Sequence, residues 1–158
     1  MENLEVFFNA LRNGDLDEVN RLIQDNSGFV NSTDGRGSSP LILASYYNHK
    51  SICESLLENG ADINYRDGAG NTALMGVCFK GFSSIAELLT EQGADVNVKN
   101  NMGANALIYA VTFGQIDIAT LLLKHGADKH EKDDKGNSAL DHANIQGNAE
   151  MLKLLKSN

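Results

Sequence analysis

The chain has 158 residues, 42% of them hydrophobic and 22% charged, with a formal net charge of -8. That length and apolar share suit roughly one folded domain, and they exclude disorder by composition. The acidity disfavours nucleic acid, which needs clustered Lys and Arg, and it equally disfavours an anionic membrane surface.

The N-terminus, Met1-Glu2-Asn3-Leu4-Glu5, has no basic region followed by an apolar core, so no signal peptide is expected. No apolar run approaches the ~18 residues of a membrane span. Two cysteines, Cys53 and Cys78, form neither a disulfide framework nor a zinc set. A reducing, cytoplasmic setting is the expectation. Leu4, Phe7, Phe8 and Leu11 then fit one helical face, and Leu16, Val19, Leu22 and Ile23 a second, with Gly14 between them. Asp15 with Glu18 three residues later resembles a capping box. Residues 1–33 read as a diverged first unit.

From there the chain repeats. Gly-Ala-Asp begins at Gly60, Gly93 and Gly126, in steps of 33. Gly37, Gly70, Gly103 and Gly136 keep the same period. So do Leu41, Leu74, Leu107 and Leu140, and Ala44, Val77, Ala110 and Ala143. The units are 34–66, 67–99, 100–132 and a shortened 133–158. Each carries apolar spacings of three and four on two short helices. Ser39, Thr72, Asn105 and Ser138 share one column and are good N-caps. The sole proline, Pro40, follows Ser39 where a helix tolerates it best. Asn48, Gly81, Gly114 and Gly147 separate the paired helices at a position suited to left-handed backbone. Glu150, Lys153 and Lys156 suit an uncovered outer face. The whole is expected to be a complete, capped, monomeric stack, since repeats bury their apolar faces only against neighbours.

A turn followed by two helices every 33 residues resembles the ankyrin repeat. Residues 67–99 carry most of the motif: Asp67, Gly70, Thr72, Leu74, Gly81, Ile85, Leu88, Leu89 and Gly93-Ala94-Asp95-Val96-Asn97. The resemblance covers about the whole chain and implies an all-α solenoid linked by β-turn or hairpin loops. The family's Thr-Pro-Leu-His string appears as Ser39-Pro40-Leu41-Ile42, Thr72-Ala73-Leu74-Met75, Asn105-Ala106-Leu107-Ile108 and Ser138-Ala139-Leu140-Asp141. Its histidine is absent from all four, which predicts less firmly tied loops.

No constellation of catalytic side chains emerges. Cys53 and Cys78 sit on helix core faces, as inert packing residues do. The four histidines, His49, His125, His130 and His142, lack a metal-site spacing. Asp62, Asp95 and Asp128 recur with the repeat, so local turn hydrogen bonding explains them better than acid–base chemistry. The expectation is no enzyme, no resident cofactor and no metal.

What the resemblance implies instead is a protein-binding scaffold, which contacts its partner through loop tips and the inner helices of the concave side. The matching tip positions supply Arg36, Asn71 and Met102. Those before the inter-helix column supply Tyr46-Tyr47, Phe79-Lys80, Thr112-Phe113 and Ile145-Gln146. Tyr46 aligns with Phe79, and Tyr47 with Phe113, at multiples of the period. Aromatics in neighbouring layers either anchor a partner or turn inward and pack between repeats, and the interface reading is preferred. Lys80 and Arg36 supply rim cations or simply solvated charge. A second reading follows from resemblance to small stand-alone ankyrin proteins of bacteria, some of which have been linked to catalase activity and haem supply. It places haem at Tyr46, Tyr47 and His49, because Tyr can ligate haem iron.

Overall fold

Four first helices begin on a side-chain cap from one column of the repeat. Ser39 accepts from the Ile42 N–H at 3.2 Å, Thr72 from Met75 at 3.3 Å, Asn105 from Ile108 at 2.9 Å and Ser138 from Asp141 at 3.3 Å. Each cap satisfies one of the donors that a helix start leaves without an intrahelical partner. In the computed structural model, which describes residues 2–157, these caps open α3 (Pro40–Tyr46), α5 (Ala73–Lys80), α7 (Ala106–Thr112) and α9 (Ala139–Gln146). Their partners are α4 (Lys50–Glu58), α6 (Ser83–Glu91), α8 (Ile116–Lys124) and α10 (Ala149–Lys156). Before them come α1 (Glu2–Asn13), α2 (Leu16–Asp25) and a 3-10 helix at Ser27–Asn31.

The turn inside each pair is left-handed where the sequence provides for it. Asn48 has φ 65° and Gly81 φ 81°, and Asn48 is the sole non-glycine with positive φ among the described residues. The capping box expected at Asp15 is only half formed. Asp15 accepts from the Glu18 N–H at 3.2 Å, but the Glu18 carboxylate is held by Arg21 at 2.6 Å instead of returning to the cap. The reciprocal pair forms at α9, where the Ser138 N–H donates to Asp141 at 2.9 Å.

The helices stack in two layers. First helices α1, α3, α5, α7 and α9 pack in succession, and second helices α2, α4, α6, α8 and α10 pack behind them. Leu41, Leu74, Leu107, Ala44, Val77, Ala110 and Ala143 are buried between the layers, with Ile52, Ile85 and Ile118 from the second helices. Leu-sized side chains buried this way contribute ~1.5–3 kcal/mol each. Leu140, the last member of its column, is only half-buried.

Between pairs the links are turns. Asp34, Asp67, Asn100 and Asp133 each donate through the backbone N–H to the carbonyl four residues on, at 2.9–3.0 Å. No strand forms among the described residues; one isolated antiparallel bridge joins Lys132 and Ser138, so the hairpin expectation reduces to tight turns. Without the motif histidine, neighbouring links are still tied. Asn64 accepts from the Asp95 N–H at 2.8 Å and Asn97 from Asp128 at 2.8 Å, and Asn31 does the same for Asp62 at 2.8 Å. At the tips Asn101 N–H donates to Ala69 O at 3.0 Å, Asp134 N–H to Met102 O at 3.0 Å, and the Tyr65 hydroxyl to Gly37 O at 3.0 Å.

Candidate binding surface

The residues that close each first helix on its C-terminal side face away from the core. Tyr46, Tyr47, Phe79 and Phe113 are between 41% and 45% exposed, so each ring is partly covered by its neighbours and partly presented to solvent. Exposed aromatics in adjacent layers are uncommon without a partner, because each costs apolar surface left in water.

The rings do not form one continuous row. Tyr46 and Tyr47 meet edge to face at 5.6 Å between centroids. Phe79 meets Phe113 edge to face at 4.6 Å, and Phe113 stacks on Tyr109 at 6.3 Å. Such pairs fix ring orientation. Tyr109, on the inner side of α7, belongs to this group and was not singled out from the sequence. The signal for it was its place in the column Leu43, Gly76, Tyr109 and His142, one turn into each first helix.

The two cations differ in role. The Lys80 ammonium lies 4.9 Å from the centre of the Tyr46 ring and 5.8 Å from that of Phe82. It is part of the aromatic surface, in a cation–π arrangement. Arg36 is exposed at its tip, where its backbone N–H donates to Asp34 at 2.9 Å. Between tips and first helices runs a groove of about 670 Å³, bordered by Arg12, Asp34, Arg36, Ser38, Tyr46 and Tyr47. Arg12 and Asp34, both on its border, pair at 3.4 Å.

Other expected contact residues divide similarly. Met102 and Ile145 are strongly exposed, at 63% and 71%. Asn71 is half-buried and accepts from the Asn100 side chain at 2.9 Å, so it ties two tips together. Gln146 donates to the Thr112 carbonyl at 2.6 Å, bridging the last two first helices.

The three residues considered for haem lie side by side: the Tyr47 ring stacks on His49 at 6.5 Å between centroids and meets Tyr46 edge to face. Nε2 of His49 is 3.0 Å from the Arg12 carbonyl, and the ring lies hard against Gly14, where a Cβ would come within 2.7 Å of it. The imidazole is a structural link between the first two repeats. Tyr46 and Tyr47, paired edge to face, lie on the open surface.

Elsewhere the chemistry is quiet. Cys53 and Cys78 are buried and unpaired, and burial pushes the Cys53 thiol up to about 12 and the Cys78 thiol higher still. A thiol so placed is not a nucleophile. Among the described residues no three His, Cys, Asp or Glu side chains gather as a metal site would require, and no helix is long and apolar enough to cross a membrane. Asp62, Asp95 and Asp128 each accept the N–H two residues on, at 2.9–3.0 Å, as turn residues do.

A family model described as ankyrin repeats (3 copies) matches residues 2–67, 59–133 and 101–158.

Proposed function

The chain belongs to the ankyrin-repeat family, and on that premise we propose that it is a non-catalytic module that docks one partner protein along its first-helix face and tips. Ankyrin repeats are generally protein–protein interaction modules. The observation that carries the reading is the exposure of Tyr46, Tyr47, Phe79 and Phe113 over α3, α5 and α7. Aromatic side chains are rigid and amphipathic, and as interface anchors they are worth ~2 kcal/mol or more each. Met102 and Arg36 extend the contact at the tips, and Ile145 at the far end. Lys80 holds the Tyr46 ring and adds a cationic edge. The protein acts by complementarity, as a monomer, in a reducing compartment suited to two free thiols.

The test replaces Tyr46 and Phe79 together by Ala. Partner recovery on affinity purification of the tagged protein should fall about a hundredfold or more, by the loss of two anchors of ~2 kcal/mol each at ~1.4 kcal/mol per tenfold. The thermal midpoint should stay within a few degrees. A variant that keeps full recovery but unfolds far earlier would make the rings part of the core and refute the reading.

A further inference from the structure

Every tip begins with a short polar side chain in the same place: Asp34, Asp67, Asn100 and Asp133. One oxygen does identical work in all four. Oδ1 accepts the N–H groups two and four residues on, at 2.9–3.0 Å, and so fixes the turn. The other atom of the group differs. Oδ2 of Asp34 receives Arg12 at 3.4 Å. Nδ2 of Asn100 donates to the Tyr109 hydroxyl at 3.0 Å and to Asn71 at 2.9 Å. Oδ2 of Asp133 faces Nε2 of His142 at 2.8 Å. Oδ2 of Asp67 has no hydrogen-bond or ion-pair partner among the described residues.

The reason lies nine residues on. Tyr109 and His142 reach back to their own tip, but the matching residue after Asp67 is Gly76. It sits inside α5, and a Cβ built there would meet no atom within 4 Å. Glycine in a helix interior is unfavourable relative to alanine, and here its absent side chain leaves a hole. A pocket of about 270 Å³ occupies that space, bordered by Tyr46, Asp67, Asn71, Gly76, Phe79 and Tyr109. No Lys, Arg or His borders it. Arg36 lines the adjoining groove beside Asp67 but makes no ion pair with it.

We propose that this pocket receives an arginine side chain of the partner protein. Its guanidinium would pair with Oδ2 of Asp67 and lie against the rings of Tyr46, Phe79 and Tyr109. The proposal rests on the docking reading above and names its anchor. The pocket combines one free carboxylate oxygen with aromatic walls. A planar cation with a fork of donors satisfies both, since it hydrogen-bonds the carboxylate and stacks on aromatic faces. The fold itself fills the corresponding place with Arg12 beside Asp34 and with His142 beside Asp133. One of these walls, the Tyr46 ring, already has the Lys80 ammonium 4.9 Å from its centre.

The probe is the peptide acetyl-Gly-Arg-Gly-amide, titrated into the full chain and followed by amide chemical shifts, beside its lysine and citrulline counterparts. Citrulline keeps the shape and removes the charge. The arginine peptide should shift the amides of Asn71, Thr72 and Gly76 saturably, the lysine peptide less, and the citrulline peptide should not. Asp67→Asn should weaken the arginine response roughly tenfold, the scale of one charged hydrogen bond. That variant keeps the turn, because Asn100 already serves in this position. Gly76→His should abolish the response by supplying the chain's own partner to Asp67, and Arg36→Ala should leave it intact. Equal shifts with citrulline, or an unchanged response in Asp67→Asn, would overturn the proposal. Partner recovery lost in the Tyr46/Phe79 variant but untouched by Asp67→Asn would refute the arginine anchor alone; recovery untouched by both would refute the docking reading as well.

Discussion

The same substitution, Gly→Ala, should act with opposite sign at two glycines six residues apart. Gly76 lies inside α5, and the space around its missing Cβ is empty. Alanine there removes unfolded-state freedom and keeps every hydrogen bond, so Gly76→Ala should stabilise by about 0.5–1 kcal/mol. Gly70 stands in the turn before the same helix at φ +81°, and a Cβ would come within 2.6 Å of Asn101 Oδ1 and 2.9 Å of its backbone N. That backbone cannot retreat freely, because the Asn101 N–H is bonded to Ala69 O at 3.0 Å. The backbone conformation alone costs a non-glycine residue about 1–3 kcal/mol, and the contact with Asn101 adds to it. For a chain of 158 residues, 1 kcal/mol moves the thermal midpoint by about 3 °C. The expected shifts are therefore about +1.5 to +3 °C for Gly76→Ala and a fall of at least about 3 °C for Gly70→Ala. Urea and thermal unfolding followed by circular dichroism at the helix band read both. A destabilised Gly76→Ala would mean that α5 is not regular at that point, and a neutral Gly70→Ala would mean that the tips are not held as close as described.

Leu74→Ala should cost ~2–5 kcal/mol by leaving a cavity between the layers, measured as a lower urea midpoint at unchanged slope; a cost under ~1 kcal/mol would contradict its burial. Both thiols should be inert in the native protein at pH 8 and titrate fully with a disulfide reagent only in guanidinium. Rapid native labelling of Cys53 or Cys78 would show that the helix pairs open. The last repeat should loosen first in acid. Burial pushes the Asp133 carboxyl up, but the Asn137 N–H, His142 and the Lys135 N–H outweigh it and hold the group below its ordinary value. The Ser138 backbone and hydroxyl lower Asp141 likewise. The stability these groups give is complete above the ordinary carboxylate value of about 4 and is lost as pH falls through the lower folded values. Hydrogen exchange should accelerate in α9 and α10 before α5 and α7 as pH drops below about 4, and uniform loss across the stack would refute this assignment.

The repeat made most of the fold legible. A column seen four times identifies a cap, a turn or a core position without any structure, because each repeat solves the same local problem with the same residue types. Ser39, Thr72, Asn105 and Ser138 were readable as caps for that reason. The half-formed box at Asp15 was not, because Glu18 has a second option in Arg21, and sequence spacing does not rank competing partners. The aromatic positions were legible as outward places, since packing does not dictate them. Which ring meets which was not, because ring pairing depends on rotamers and on the offset between layers.

The sequence by itself determined the period, the helix pairs, the buried columns and the burial of both cysteines, all of which follow from local propensity and one-sided apolar patterning. Only the tertiary structure decided that Tyr109 joins the aromatic surface, that His49 is spent on Arg12, and that Asp67 keeps an unpaired oxygen above Gly76. Each of these depends on a side chain from one repeat arriving, or failing to arrive, at a group in another place. A glycine in a helix reads from the sequence as a weak point; its meaning here came from what its counterparts Tyr109 and His142 do in space.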